Sequence, residues 1–147
     1  MFGYRLPGET FLANRVSAMR KAILMLLLAV VSSSAAGAWV NVGGNEIYTA
    51  YADPVTIRKS GTVVKMRNLA DFKTVQASDK CKLFMSQKMQ SEYDCKEKRT
   101  RLLDFTWHSG NMGRGEIVLS GSGPSQWEPV APLSGNAILW KFACGKR

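Results

Sequence analysis

Histidine is nearly missing from this chain. His108 is the only one among 147 residues. A multi-histidine zinc site is therefore excluded, and no Cys-x-x-Cys pair is present to complete a mixed site around it. No Gly-x-Ser-x-Gly elbow occurs, so His108 as a lone general base has no evident nucleophile to serve. A sheet-face or turn histidine is the expectation. The acidic residues do not cluster as a calcium loop requires. The stretch Gly110 to Gly115 lacks the Gly-Lys-Ser/Thr ending of a phosphate-cradling loop and reads as a tight turn. No metal, no cofactor and no catalytic constellation is expected, which points away from an enzyme.

Long hydrophobic runs are also missing. The most apolar stretch, Ala22 to Val31, has about ten residues, whereas spanning a bilayer takes roughly 20. It follows Arg20-Lys21 and precedes the small residues Ser32 to Ala38, which end in Ala36-Gly37-Ala38. Those are the three zones of a secretory signal in order, with cleavage expected between Ala38 and Trp39. Counted from Met1 the signal exceeds the usual roughly 15–30 residues. The start is therefore expected at Met19, with residues 1–18 a non-native or disordered extension and 19–38 the signal peptide. A lipid-bearing cysteine is absent from the first mature position, which is Trp39. No membrane anchor is expected in the mature form. The protein reads as exported, periplasmic first, with cell surface or secretion as alternatives.

Residues 39–147 form one small domain, long enough for only a modest core. They carry 16 Lys+Arg against 10 Asp+Glu. Such an excess favours anionic partners, although many exported proteins are simply basic. Nucleic acid is disfavoured, because export removes the chain from it. Cysteine is scarce: Cys81, Cys95 and Cys144 all lie in the exported part, where an oxidising compartment favours a disulfide. Three cysteines allow three single bridges and leave one thiol over. A Cys95–Cys144 bridge, leaving Cys81 free, would pin a C-terminal helix to the body of the domain. Its loop of about 50 residues corresponds to roughly 4 kcal/mol of chain entropy. The competing reading is three buried thiols. Cys81 stands between Lys80 and Lys82, which would activate an exposed thiol, but a bystander cysteine is the favoured reading.

Alternating and β-branched patterns predict strands at Trp39 to Val42, Ile47 to Tyr51, Thr62 to Lys73, Leu83 to Cys95, Arg101 to His108 and Glu116 to Ser120. Asp53-Pro54 is expected to end the second strand, since proline cannot donate to a ladder. Thr74 to Lys82 and Gly121 to Pro132 read as loops. Ser134 is a candidate N-cap for a last helix carrying Ala137, Trp140 and Cys144, with Gly145 at its end. The fold class is thus α+β, a mostly antiparallel β-sheet of about six strands with one C-terminal helix packed on it. The tryptophans at 39, 107, 127 and 140 are expected as core anchors rather than as a sugar-stacking platform.

One candidate contact patch stands out. Lys96, Lys98, Arg99 and Arg101 place four cations in six residues at a strand connection, where they can meet phosphates or sulfates. Glu92, Asp94, Glu97 and Asp104 dilute that field, so a solvated hairpin face is the competing reading.

Trp39-Val40, followed by Tyr51-Ala52-Asp53-Pro54-x-Thr56-Ile57-Arg58, resembles the start of the bacterial surface-adhesin protein E-like family. Glu92 to Arg99, Ser109 to Glu116, and Trp127-x-Pro129-Val130-Ala131-Pro132-x-Ser134 through Ala143-Cys144 continue the resemblance in the same order. It implies a small antiparallel sheet with a C-terminal helix, and Cys95 and Cys144 as the paired cysteines. It also implies a non-enzymatic exported binding protein, whose partner is an anionic envelope or host matrix macromolecule. The alternative is a periplasmic structural or accessory envelope protein without an adhesive role, working through a sheet edge or helix face and compatible with a homodimer.

Overall fold

The computed structural model describes residues 38–145. The extension at 1–18, nearly all of the signal at 19–38, and Ala36 of the cleavage motif lie outside the described residues. Ala38 is exposed and Trp39 half-buried at the entry to the first strand.

Six strands follow one another as a meander: β1 (Val40–Gly44), β2 (Tyr48–Ser60), β3 (Val63–Ala77), β4 (Leu83–Asp94), β5 (Arg99–His108) and β6 (Ile117–Ser122). Each pairs antiparallel with its successor, and a two-residue strand β7 (Glu128–Pro129) pairs with the start of β5. An α-helix, α1 (Gly135–Ala143), follows at the end of the described residues. Among the described residues this is the mostly antiparallel α+β architecture that the strand periodicities predict.

Register decides which side chains meet. Val64 pairs with Tyr93, Met66 with Ser91, and Ala52 with Asn68. These residues share one sheet face, and α1 lies over it. Ala52, Val64, Met66 and Tyr93 pack with Leu139, Trp140 and Ala143 into the core. Burying Leu139 or Trp140 contributes roughly 2–3 kcal/mol each. Asn68 is buried among them and donates its amide to Ser91 Oγ and Tyr93 Oη. Burial pushes the Tyr93 hydroxyl far above its ordinary range. The helix starts where its sequence suggests: the Ser134 hydroxyl accepts from the Ala137 N–H. It ends as expected, with Cys144 as its C-cap and Gly145 at C′ in the left-handed region at φ 65°.

Four sequence expectations are corrected, among them the Gly121 to Pro132 loop, which holds the end of β6 and all of β7. Proline does not end β2, which runs on to Ser60. A bulge between Asp53 and Arg58 absorbs Pro54, and the Thr56 hydroxyl bridges the gap by donating to the Asp53 carbonyl and accepting from the Arg67 N–H. Among the described residues no β1 partner lies beyond Ala52. Likewise, Thr74 to Ala77 is strand rather than loop, reached through a second irregularity after Asp71. Of the four tryptophans expected as core anchors, only Trp140 is buried in the core; Trp39, Trp107 and Trp127 are half-buried, Trp127 beside two arginines.

The Gly110 to Gly115 turn folds back onto the sheet face opposite the helix. Asp71 Oδ1 accepts from the Met112 N–H, and Ser86 Oγ donates to the Gly110 carbonyl while accepting from the Gly113 N–H. Gly113 sits at φ 68°, and any Cβ there would strike the end of Lys88. His108 is buried beneath this turn, with Nε2 at 2.9 Å from Thr106 Oγ1.

Candidate functional site

β4 and β5 are joined by a four-residue turn, Cys95 to Lys98, with Asp94 paired to Arg99 across its base. Lys98 takes the left-handed conformation at φ 50° that closes it. One carboxylate organises the turn. Asp94 Oδ1 accepts from the N–H groups of Lys96 and Glu97, at 3.1 Å each. Asp94 Oδ2 accepts from Arg99 Nε at 3.0 Å. The Glu97 N–H, then Arg99 and the Lys96 N–H, hold the Asp94 carboxyl below the usual carboxylate range, against the opposing effect of desolvation. The Asp94 carbonyl in turn accepts from Trp140 Nε1 at 2.9 Å, tying the turn to the helix.

Two further links fix this end of the domain. Cys95 and Cys144 are joined by a disulfide, while Cys81 is an exposed free thiol at the opposite end of the sheet. The Cys95 N–H donates to the Thr62 carbonyl at 2.8 Å, so the β4–β5 turn is bonded to the β2–β3 turn.

The four candidate cations separate into two pairs. Lys96 and Lys98 are exposed and make no ion pair among the described residues. Lys98 Nζ lies 5.6 Å from the Trp140 ring centroid. Arg99 and Arg101 are committed internally: Arg99 pairs with Asp94, and Arg101 Nε donates to Glu92 Oε2 at 2.7 Å. Both guanidinium groups also lie over Trp127, at 4.8 and 4.6 Å from its centroid. This clamp holds the loop before β7 against the sheet. Arg99 and Arg101 therefore serve the fold first, and the free cations of the patch are the two turn lysines.

Sequence reasoning misses Asp94 as the hub and Trp127 as the clamped ring. The first carried a signal, since an aspartate just before a turn is a frequent acceptor for the N–H groups two and three residues on. The second carried none, because Trp127 is far from Arg99 and Arg101 in the chain. Among the described residues no group of His, Cys, Asp and Glu comes together to hold a metal ion. Nor is any described helix long and apolar enough to cross a bilayer.

Residues 39–145 match the model of the surface-adhesin protein E family. The chain belongs to that family. Three solved structures of Haemophilus influenzae protein E share the fold. A crystal structure from a non-typeable strain is 13% identical, covers 78% of this chain and 79% of its own, and superposes with a TM-score of 0.50. The selenomethionine form is 12% identical, with 78% and 90% covered and a TM-score of 0.55. Crystal form II is 11% identical, with 78% and 91% covered and a TM-score of 0.55. At such identities the likeness speaks for the fold alone. No curated relative matches the sequence at a significant level. Family membership makes this chain an adhesin-type surface protein, exported from the cell interior.

Proposed function

We propose that the protein is a non-enzymatic binding module that meets an anionic macromolecule of the host matrix or the envelope through the Cys95 to Lys98 turn. One observation carries this reading: Lys96 and Lys98 are exposed, with no ion pair among the described residues, on a turn whose backbone is held at several points. Those are the Asp94 carboxylate, the Trp140 indole, the Thr62 carbonyl and the disulfide. A turn held in this way presents its cations without a large ordering cost on binding.

The competing reading, an accessory envelope protein without adhesive contacts, draws support from Arg99 and Arg101. Their ion pairs and the Trp127 clamp give them a structural role that needs no ligand. The two readings separate cleanly at the lysines. Lys96→Glu with Lys98→Glu breaks no ion pair among the described residues and removes only the Lys98 contact over the Trp140 ring, so the variant is expected to fold, which circular dichroism checks. We expect it to abolish binding of the purified protein to reconstituted basement-membrane matrix or to bacterial outer-membrane vesicles. Unchanged binding to both surfaces would favour the accessory role. Protease accessibility on whole cells distinguishes surface display from periplasmic residence, and surface display is the expected result.

A further inference from the structure

The exposed turn lysines do not stand alone at their end of the sheet. Val63 pairs with both Ser60 and Asp94, and Asp94 pairs with Arg99. One row therefore crosses β2, β3, β4 and β5 beside the two hairpin turns. Adjacent strands lie about 4.8 Å apart, so the row spans roughly 14 Å. Arg58 and Lys59 flank one end of it on β2, and Lys96, Lys98 and Arg99 flank the other. Arg58 and Lys59 are exposed. The Arg58 guanidinium is positioned by donating Nη1 to the Val55 and Ile57 carbonyls at 2.9 and 2.8 Å.

Counting Lys65, Glu92 and Arg101, which share the next row with Arg58, seven positive charges meet three negative ones, Glu92, Asp94 and Glu97, at this edge. Asp94 is buried, its side chain 4% exposed, with both oxygens occupied by donors. Little of its acceptor capacity remains for solvent or for a cationic partner. The Cys95 N–H to Thr62 carbonyl bond welds the two turns into one tip.

We infer that this double-hairpin tip binds a linear sulfated polysaccharide, whose chain runs along the row from Arg58 and Lys59 to Lys96 and Lys98. The inference rests on the binding-module reading and extends it by adding Arg58 and Lys59 and by naming the ligand. Charge complementarity selects a polyanion. The shape selects a chain over a membrane: the cations form two narrow groups, at the end of β2 and at the β4–β5 turn, up to roughly 14 Å apart, not spread over a flat apolar face. Export selects a glycan over nucleic acid, the other common partner of clustered Lys and Arg.

The test uses a size-defined heparin oligosaccharide, its desulfated counterpart, and vesicles containing phosphatidylglycerol. The wild-type protein is expected to bind the sulfated oligosaccharide, with affinity falling steeply as salt rises. Lys96→Gln with Lys98→Gln, and Arg58→Gln with Lys59→Gln, should each lower affinity about tenfold and flatten the salt dependence, because each removes two counterion-releasing contacts. Lys59→Gln alone keeps the Arg58 hydrogen bonds and covers the case in which the Arg58 change disturbs the bulge; it should give about half of that loss on a logarithmic scale. Lys80→Gln with Lys82→Gln removes the same charge at the opposite end and should change affinity by less than about twofold.

Equal losses in all the double variants would reduce the effect to net charge and overturn the tip. Preference for the vesicles, or equal binding of the desulfated sugar, would overturn the ligand class. Absent glycan binding with Lys96- and Lys98-dependent matrix binding would sink this inference and leave the binding-module reading standing. Absence of both would sink the two together.

Discussion

Removing the disulfide offers the sharpest test of how this end of the domain is held. The perturbation is Cys95→Ser with Cys144→Ser, made in a Cys81→Ser background so that the exposed thiol cannot mispair. The bridged residues are 49 apart in sequence, and closing a loop of that length in the unfolded chain is worth about 4 kcal/mol. That is an upper bound, since the unfolded chain retains some compactness. Leu139 and Trp140 keep their burial, roughly 2–3 kcal/mol each, and the indole bond to the Asp94 carbonyl survives. The variant should therefore fold, with α1 still docked and about 2–4 kcal/mol less stable. Urea unfolding followed by tryptophan fluorescence measures the loss, and a larger m-value is expected because the unfolded chain expands. Hydrogen exchange locates it: α1 amides should gain exchange first, ahead of β3 and β4. A loss below about 1 kcal/mol, or unchanged protection in α1, would refute the idea that the bridge pins the helix to the turn.

The same turn yields further outcomes. Asp94→Ala orphans the Lys96 and Glu97 N–H groups and the Arg99 guanidinium, and should cost about 2–4 kcal/mol; Asp94→Asn keeps the Oδ1 acceptor and should recover more than half of that by urea unfolding. Because the Asp94 pKa is lowered in the folded state, its contribution is present above the ordinary carboxylate pKa and is lost as pH falls through the folded value. Acid titration of stability should thus show a decline below about pH 4 that Asp94→Asn lacks. His108 behaves differently: burial, then the Lys88 charge, pushes its pKa below the ordinary value. The unfolded chain therefore takes up that proton first, and stability should fall as pH drops below about 6.5, a slope that His108→Gln removes. Trp127→Ala takes away the ring beneath Arg99 and Arg101 and should lower stability by about 1–2 kcal/mol, read by thermal denaturation.

Much of the fold was legible because the strands alternate. Val64, Met66 and Asn68 point to one face and Lys65 and Arg67 to the other, a period-two signal that survives without any partner. The helix was legible at its start, where Ser134 is a strong cap. The misreading at Pro54 has a clear physical cause, which is that an irregular strand borrows a side-chain acceptor. Thr56 carries β2 past Pro54, and nothing in the local sequence marks that hydroxyl as a replacement for a ladder bond. The candidate site was legible only where its cations are contiguous. Lys96 to Arg101 is one run, whereas Arg58 and Lys59 reach the same tip only through the β2–β3 and β3–β4 registers. The run itself concealed a division of labour, since Arg99 and Arg101 are occupied by Asp94, Glu92 and a ring distant in sequence.

The most direct measurement is equilibrium binding of the purified wild-type protein and its Lys96→Glu, Lys98→Glu double variant to basement-membrane matrix, with folding checked by circular dichroism. Loss of binding of about a hundredfold or more in a variant of unchanged fold and stability is the expected result. Full retention of wild-type binding by that variant would contradict the placement of the contact surface on the stapled turn.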